Sequence, residues 1–309
     1  MKKLISQGIA SIFQKLPYPM PDPTLGLCIR KDDILCCLKN QTNQMKCFEI
    51  VGHEEEAVKE ALITQVGNIK RQRLPATIIL EKEDYHYHLI EDIPIEESKK
   101  KEAVKWRLSE FLEYAPEEAV VDYIELPTPS HDAGHKLLYG IVAQKEKIEK
   151  HLRWAQQNNI QLVKIDIWQN AIKNILSLAY EPAGFLFLRA YDKQGELMIV
   201  KNKELCLMRK IDFPFFKFNT PHAPQESKEL YEALGLEIQR SIDYCRGKIK
   251  MVIIDQILFW GPLSITFDPK ALEAALGIST QNFLDNPIFK SAEIQKNLLA
   301  YAAVRDNTP

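Results

Sequence analysis

Two pairs of histidines come nearest to a chemical site in residue type and spacing. His86 and His88 alternate along one predicted strand and so share a face, and imidazole is a common metal ligand. No cysteine or carboxylate stands at ligand spacing from them, and we interpret the pair as a polar strand face. His131 and His135 lie four residues apart, but the proline and glycine beside them predict an exposed loop. The sequence therefore predicts no metal site.

The chain lacks the three short motifs that most often mark hydrolytic or nucleotide chemistry. It contains no G-x-S-x-G nucleophile elbow, no G-x-x-x-x-G-K-[S/T] phosphate loop and no G-x-G-x-x-G dinucleotide fingerprint. Ser130 precedes His131, yet nothing else supports hydrolase chemistry. No residue gives positive evidence for an enzyme.

The charges of the chain are nearly balanced. Forty Lys and Arg residues face forty-two Asp and Glu residues, a net charge of −2. This balance removes a global electrostatic reason to bind nucleic acid or anionic lipid. Two local basic stretches remain, at residues 70–73 and 99–101. The second has glutamates on both sides, and we interpret it as solvated surface.

The six cysteines indicate a reducing compartment. None is in C-x-x-C spacing, and they stand among apolar residues, which is typical of buried thiols in a cytosolic protein. No apolar run approaches the roughly 20 residues that span a bilayer. We expect a soluble, cytoplasmic protein whose membrane association is peripheral, through a partner or through its first helix.

Residues 1–23 form an N-terminal segment that is separate from the rest of the chain. Their apolar side chains recur at helical spacing up to Leu16, and four prolines between Pro17 and Pro23 then make a stiff connector. Two interpretations stay open, a helix packed on the body and a free arm for a partner or a membrane surface.

The remaining elements form two lobes. Residues 24–94 and 160–180 make lobe 1, which opens with a three-strand meander, and residues 95–159 make a small inserted unit. Its first helix is predicted to place Val104, Leu108, Phe111 and Leu112 toward the core. Residues 181–309 make lobe 2, which opens with a second three-strand meander. Two lobes with the same opening predict an internally duplicated α/β fold.

Eight short segments, in order along nearly the whole chain from Leu25, carry a family resemblance. They are Val104 to Arg107, Tyr114 to Pro116, Val120 to Tyr123, Ile160 to Ile167, Glu237 to Ser241, Asp255 to Gly261 and Asn286 to Phe289, with Ala302 to Arg305 at the end of the last helix. In this order the chain resembles the PilM and MshI proteins of type IV pilus and MSHA pilus biogenesis.

The resemblance implies the fold of actin and Hsp70. That is a two-lobed, actin-like fold of two ribonuclease H-like halves, here with a small α/β subdomain inserted in lobe 1. Before Leu230 the family usually carries a second insertion that helps form an adenine pocket, whereas this chain has about twenty-five residues there. The resemblance therefore implies a reduced insertion in lobe 2.

The nucleotide-binding loops of such ATPases are altered in this chain. Each lobe's first hairpin normally supplies a D-x-G loop, in which Asp orients a metal or water and Gly lets backbone amides approach phosphate. Here Cys28 and Arg30 replace those two residues in lobe 1. In lobe 2, Phe187 or Leu188 stands at the Asp position and no glycine follows until Gly195.

The adenosine loop is altered as well. It reads Trp260-Gly261-Pro262 in place of a glycine pair. If any nucleotide contacts remain, the resemblance assigns them to Gly26, Arg30, Lys31 and Gly261. We expect neither ATP hydrolysis nor a bound Mg-ATP. An actin-like protein that still holds ATP in an atypical site is the alternative.

Trp106 is the most informative residue of the small unit. On a helical wheel it lies opposite Val104 and Leu108, among charged residues. Such a tryptophan either packs under a neighbouring element or contacts a partner. Together with the resemblance, this position makes Trp106, Phe111 and Tyr114 candidate partner-binding residues.

The resemblance implies a scaffold role at the inner face of the bacterial inner membrane. The implied partner is the N-terminal tail of an inner-membrane pilus assembly protein of the PilN type, with the assembly ATPase as a further partner. A type II secretion scaffold of the GspL type is the other alternative. GspL-type chains usually continue into a transmembrane helix, which this sequence does not contain.

Overall fold

The computed structural model describes residues 24–66, 74–127, 136–180, 184–249, 253–262 and 264–305. The first helix and its connector, the basic residues 70–73, and His131 with His135 lie outside this part. The chain divides into two compact units. Among the described residues, unit 1 runs to Glu125 and adds residues 136–175 and 291–305, and unit 2 holds residues 126–127 and 176–290.

The first sheet of unit 1 is built on the predicted meander. Strands β1 (Thr24–Ile29), β2 (Asp33–Lys39) and β3 (Met45–Val51) pair antiparallel, and helix α1 (Glu55–Val66) follows. Strand β4 (Leu74–Leu80) then joins β1 in parallel, and β8 (Ile160–Ile167) joins β4 in parallel. The order across the sheet is β3-β2-β1-β4-β8.

A three-stranded sheet lies in the chain between β4 and β8. Its elements are β5 (Tyr85–Glu91), α2 (Glu97–Leu108), β6 (Ala119–Glu125), β7 (Leu137–Gln144) and α3 (Lys145–Gln157), with strand order β5-β7-β6. The predicted boundary at residue 95 therefore differs from the structure, which begins this unit at Tyr85. Strand β5 pairs with β7 along all seven of its residues, and its exposed His86 suits an edge strand better than a sheet interior.

Unit 2 repeats the plan of the first sheet. Its elements are β9 (Gly184–Ala190), β10 (Gly195–Lys201), β11 (Glu204–Ile211), α5 (Pro224–Ile249), β12 (Gln256–Trp260), α6 (Pro269–Leu276) and β13 (Ser279–Asn282). Helix α4 (Trp168–Ala179) precedes them. The order β11-β10-β9-β12-β13 matches that of the first sheet strand for strand, with β9, β12 and β13 in parallel. This repetition agrees with the predicted duplication.

The C-terminal segment differs from the predicted boundary of lobe 2. Helices α7 (Ala292–Lys296) and α8 (Leu298–Arg305) belong to unit 1, and α8 packs on β1, β2 and β4. Residues Leu298 to Val304 are all buried, which the first sheet makes possible by covering one side of the helix. Among the described residues, no helix is both long enough and apolar enough to cross a bilayer.

Candidate functional site

Arg30, at the position where the resemblance expects the loop glycine, forms hydrogen bonds with Asp33 across the turn of the first hairpin. The Arg30 backbone N–H donates to the Asp33 carbonyl at 2.9 Å, and its Nε donates to Asp33 Oδ1 at 2.6 Å. The Arg30 hydrogen bond lowers the pKa of the Asp33 carboxyl, and Asp33 in turn raises the pKa of the guanidinium. Arg30 is therefore engaged within the hairpin. Lys31 is exposed, and its carbonyl contacts His53 Nε2 at 3.0 Å.

Cys28 stands where the resemblance to actin-like ATPases places the metal-orienting aspartate. Its side chain is fully buried, and its thiol donates a hydrogen bond to Glu81 Oε1 at 3.3 Å. A neutral thiol cannot replace a carboxylate toward Mg²⁺, which prefers oxygen ligands. This half of the fold therefore lacks the charge that a metal-nucleotide complex needs at this position.

Gly26 has a packing role in the structure. A Cβ atom at this position would lie 2.0 Å from the backbone oxygen of Ala300 in α8. Only glycine lets the helix carbonyl approach the strand so closely. The nucleotide role that the resemblance assigns to Gly26 is untested, but packing alone accounts for the glycine.

In unit 2, aromatic side chains fill the corresponding positions. Phe187 is fully buried, with its ring centroid 5.0 Å from that of Phe283 and 6.2 Å from that of Trp260. The Arg189 guanidinium carbon lies 4.6 Å from the Trp260 ring centroid and 5.0 Å from that of Tyr191. Strands β9 and β12 pair Arg189 with Trp260 directly, so this stack is set by the register of the sheet. The chain's own cation lies between two rings at the carboxyl ends of two parallel strands.

Gly261 follows the stack and is crowded too. A Cβ atom there would lie 3.0 Å from the Phe259 ring, and Pro262 follows without a backbone N–H. A nucleotide-binding loop needs open backbone amides that can approach a phosphate or a sugar. Pro262 lacks one such amide, and the Phe259 ring lies close to Gly261.

These residues do not fit the magnesium and nucleotide that the fold would suggest. At the positions that the resemblance assigns to the D-x-G aspartates stand the thiol of Cys28 and, in unit 2, Phe187 or Leu188, both fully buried. The arginine at each hairpin contacts Asp33 or aromatic rings. No three His, Cys, Asp or Glu side chains in the described part of the chain form a metal-binding group.

Asp166, at the end of β8, is a fully buried carboxylate whose negative charge pairs with the Lys164 ammonium. It lies 2.9 Å from the Lys164 ammonium, and it accepts hydrogen bonds from the Ile167 N–H and the Asn170 amide, both at 2.8 Å. A buried charge with a cation and two donors is stabilised in place. These contacts join β8 to the first turn of α4.

The small unit exposes aromatic side chains. Trp106 is 59% exposed and Phe111 47% exposed, while Tyr114 is half-buried. Helix α2 turns Val104 and Leu108 into the core, with Leu108 over Gly140 of β7, and this arrangement leaves Trp106 on the outer side. The predicted position of Trp106 off the core stripe is confirmed. The ring is not packed under a neighbouring element of the described chain, and its contact with a partner stays a prediction.

Phe111 is exposed, whereas the helical pattern predicted it to lie in the core. The α-helix ends at Leu108, and the tighter turn Ser109–Phe111 follows, which rotates Phe111 outward. Its ring stacks on His88 of β5, with centroids 4.3 Å apart and planes 13° apart. Tyr114 packs at the edge of the small core, where burial and then the Glu118 charge raise its pKa. The three candidate partner-binding residues thus lie in one short stretch of chain.

Lys100 corrects the prediction of a solvated basic stretch. It is 5% exposed, with its ammonium 2.9 Å from Asp92, in contact with Glu125, and 5.1 Å from the Tyr123 ring centroid. Burial opposes its charge, but hydrogen bonds to Glu125 and Asp92 outweigh that cost and raise its pKa. The signal was present, because Lys100 precedes Val104 and Leu108 at the spacing of four that marks the buried face.

The comparisons with known proteins agree on the fold. No protein-family model matches the chain, and no curated protein matches it in sequence. A solved PilM-PilN type IV pilus biogenesis complex is similar, with a TM-score of 0.61, 18% identity, and coverage of 93% of this chain and 99% of that one. The chain has an actin-like fold.

Two further solved structures are similar over most of their length. The cytoplasmic domain of EpsL, an inner-membrane component of the Vibrio cholerae type II secretion system, has a TM-score of 0.51 at 11% identity, covering 92% of this chain and 95% of that one. A Bacteroides thetaiotaomicron protein with actin-like ATPase fold and unknown function has a TM-score of 0.48 at 11% identity, covering 91% and 98%. The predicted resemblance to PilM is confirmed at the level of the fold.

Proposed function

We propose that this chain is a scaffold at the cytoplasmic face of the bacterial inner membrane, within a type IV or MSHA-like pilus assembly complex. In this role it binds the cytoplasmic tail of a PilN-like membrane protein and hydrolyses no ATP. The observation that carries the proposal is the exposed pair Trp106 and Phe111 on the small unit of a chain with the fold of PilM.

The chemistry of that surface supports partner binding. Tryptophan is enriched among the residues that contribute most to protein interfaces, because it buries a large area with little loss of side-chain freedom. Helix α2 keeps Trp106 outside the core while Lys100 and Lys101 hold the other side of the helix to Asp92, Glu125 and Asp122. The exposed aromatic surface therefore rests on a firmly anchored helix.

A binding assay with one matched control tests the partner. The probe is a labelled peptide with the tail sequence of a PilN-like protein from the same genome. We expect wild type to bind it, Trp106→Ala to lose about 30-fold or more in affinity, and Leu236→Ala to bind normally. Leu236 is a similarly exposed apolar residue, 53% accessible, on α5 of unit 2. Equal affinity of wild type and Trp106→Ala would reject this surface.

The absence of nucleotide chemistry has its own test. A ligand at 100 times its dissociation constant stabilises the folded state by about 2.7 kcal/mol. We expect millimolar Mg-ATP to leave the midpoint of thermal unfolding unchanged, because Arg30, Phe187 and Trp260 occupy the loops. A clear upward shift would favour the alternative, an actin-like protein with an atypical ATP site.

A second candidate role is favoured by the similarity to the EpsL domain. In that case the chain would serve a type II secretion complex rather than a pilus. Parallel binding assays with a PilN-like tail and with the cytoplasmic segments of type II secretion membrane proteins separate the two roles. Addition of the pilus assembly ATPase to the same assay tests it as a further partner, with a ternary complex as the expected outcome.

A further inference from the structure

The aromatic surface of the small unit has an acidic rim. Between Ser109 and Glu118 the chain carries four glutamates and no basic residue. Glu102 lies one helical turn before Trp106. All five carboxylates are exposed: Glu102, Glu110, Glu113, Glu117 and Glu118. These five residues, the rim, therefore flank Trp106, Phe111 and Tyr114 along the chain with negative charge.

The rim differs from the other acidic residues of the small unit. Asp92 and Glu125 pair with Lys100, Asp122 pairs with Lys101, and Glu97 accepts a hydrogen bond from the Tyr123 hydroxyl. Within the described part of the chain, none of the five rim carboxylates has a hydrogen bond or an ion pair. The small unit thus uses its inner acids to hold α2 and leaves its outer acids available.

Two bases lie close to Trp106 in sequence. Lys105 and Arg107 are its immediate neighbours on α2, and successive residues of a helix point in different directions. Glu102, one turn before Trp106, shares its side of α2, while Glu110 lies in the tighter turn beyond the end of the helix at Leu108. Counted from Glu102 to Glu118, five acids against two bases leave the surface negative.

We propose that the Trp106, Phe111 and Tyr114 surface binds a basic and apolar segment of its membrane partner, close to the partner's transmembrane helix. This inference rests on the proposed function and adds the chemistry of the tail. The apolar side chains of the segment bury Trp106 and Phe111, and its Lys and Arg side chains lie against the rim. A cation is also attracted by the open face of a tryptophan ring.

The general charge rule of membrane proteins points to the same segment. Cytoplasmic segments within roughly 15–20 residues of a transmembrane helix carry an excess of Lys and Arg. An acidic rim complements such a segment and repels anionic lipid headgroups. The rim therefore directs this surface toward the partner and away from the bilayer itself.

The test uses an array of labelled peptides. Each peptide is the cytoplasmic segment next to the transmembrane helix of a single-pass inner-membrane protein of the same genome, and each has a twin with Lys and Arg changed to Gln. Affinities are measured at low and at high salt for wild type and for Glu110→Gln/Glu113→Gln. The matched control is Glu56→Gln/Glu60→Gln, which removes two exposed glutamates from α1.

We expect wild type to bind basic peptides and to reject their Gln twins. The rim variant should bind about five- to tenfold more weakly at low salt, and this difference should disappear at high salt, because exposed charges are screened. The control should bind as wild type does. All four side chains are exposed, so the midpoints of thermal unfolding should agree and exclude a folding defect.

The outcomes separate the two proposals. If a tail binds wild type and is lost by Trp106→Ala but ignores both the rim variant and salt, the scaffold role stands and the basic segment is rejected. If no tail binds, both proposals fall. Binding of wild type to vesicles rich in anionic lipid through this surface would also overturn the inference, since the rim variant would then bind more tightly.

Discussion

The two five-stranded sheets of this protein share one strand order but differ in the connection between their last two strands. In unit 2 the chain passes from β12 to β13 through a single helix, α6. In unit 1 the chain passes from β4 to β8 through a whole three-stranded sheet with two helices. A parallel crossover tolerates such an addition, because the strands it joins keep their places. The common sheets hold the cores, and the extended crossover holds the exposed surface.

Aromatic residues show the same contrast. Unit 2 buries a cluster in which Phe215 contacts Phe213, Phe218 and Phe259, and Phe259 stacks on Phe267 with centroids 3.7 Å apart. The small unit instead leaves Trp106 and Phe111 accessible. Phenylalanines thus stabilise the core of unit 2, where Phe216 is the exposed exception at 42%, whereas Trp106 and Phe111 of the small unit are available for recognition.

The largest expected difference in the free energy of unfolding is between truncation of Phe215 in unit 2 and truncation of Phe111 in the small unit. Phe215 is fully buried, so Phe215→Ala should lower the free energy of unfolding by about 3–5 kcal/mol. Phe111→Ala removes a half-exposed ring and should cost less than about 1 kcal/mol while weakening partner binding. Urea unfolding of both variants checks this contrast. Similar losses of stability would mean that Phe111 serves the fold.

The glycines of the two opening strands test whether both sheets are packed alike. A Cβ atom at Gly26 would lie 2.0 Å from the Ala300 oxygen, and one at Gly184 would lie 1.8 Å from the Ile253 oxygen. Because backbone oxygens move only with their segments, Gly26→Ala and Gly184→Ala should each cost about 1–3 kcal/mol of unfolding free energy.

Gly247 of α5 is the matched control for these two variants. No atom lies within 4 Å of a Cβ at this position, so Gly247→Ala should stabilise the protein by about 0.5–1 kcal/mol. Chemical denaturation of the three variants gives the comparison. If Gly26→Ala were neutral, α8 would not be held against β1 as closely as the structure has it.

The arginine between two rings in unit 2 should contribute less. Arg189→Met keeps the length of the side chain but removes the cation that lies 4.6 Å from the Trp260 ring centroid. We expect a loss of about 0.5–2 kcal/mol of unfolding free energy. Arg153→Met, which removes an exposed pair with Glu149 on α3, should change the free energy by at most about 0.5 kcal/mol. Equal effects would show that the stack adds nothing beyond a surface ion pair.

Local sequence patterns predicted what local forces determine. Short apolar runs separated by polar turns marked both meanders, and the helical period placed Trp106 outside the core of α2. The edge strand β13, with the sequence STQN, escaped detection because it carries no apolar alternation. A period of two or 3.6 residues is visible only where one face is buried.

Contacts between residues distant in sequence could not be predicted from the local patterns. The pattern of β5 indicated a strand but not that its partner is β7 rather than the first sheet. The sequence of α8 is apolar, yet its place on β1 depends on the missing side chain of Gly26. The pairing of Lys100 with Asp92 and Glu125 likewise joins residues distant in sequence. In each of these cases the sequence pattern indicates the element itself but not the strand, helix or residue that it contacts.

The smallest expected effect is the pH dependence of the stability that the Arg30–Asp33 pair contributes in the first hairpin. The folded state lowers the pKa of Asp33 through Arg30, so this pair stabilises the protein above the ordinary carboxyl pKa and loses its effect as the pH falls through the lowered value. Arg30 is 40% exposed, and the contribution should stay below about 1 kcal/mol. Asp33→Asn should therefore be slightly less stable than wild type at pH 7 and equally stable near pH 2.

In the second hairpin the register of β9 and β10 places the buried Glu196 opposite Arg189. A pH-dependent difference between wild type and Arg189→Met would therefore indicate that a carboxylate contributes beside this cation, whereas the aromatic rings alone would leave the difference constant. Urea unfolding of both variants and wild type between pH 7 and pH 2 compares the two hairpins. A constant Asp33→Asn difference would show that the Arg30 pair acts through geometry rather than charge.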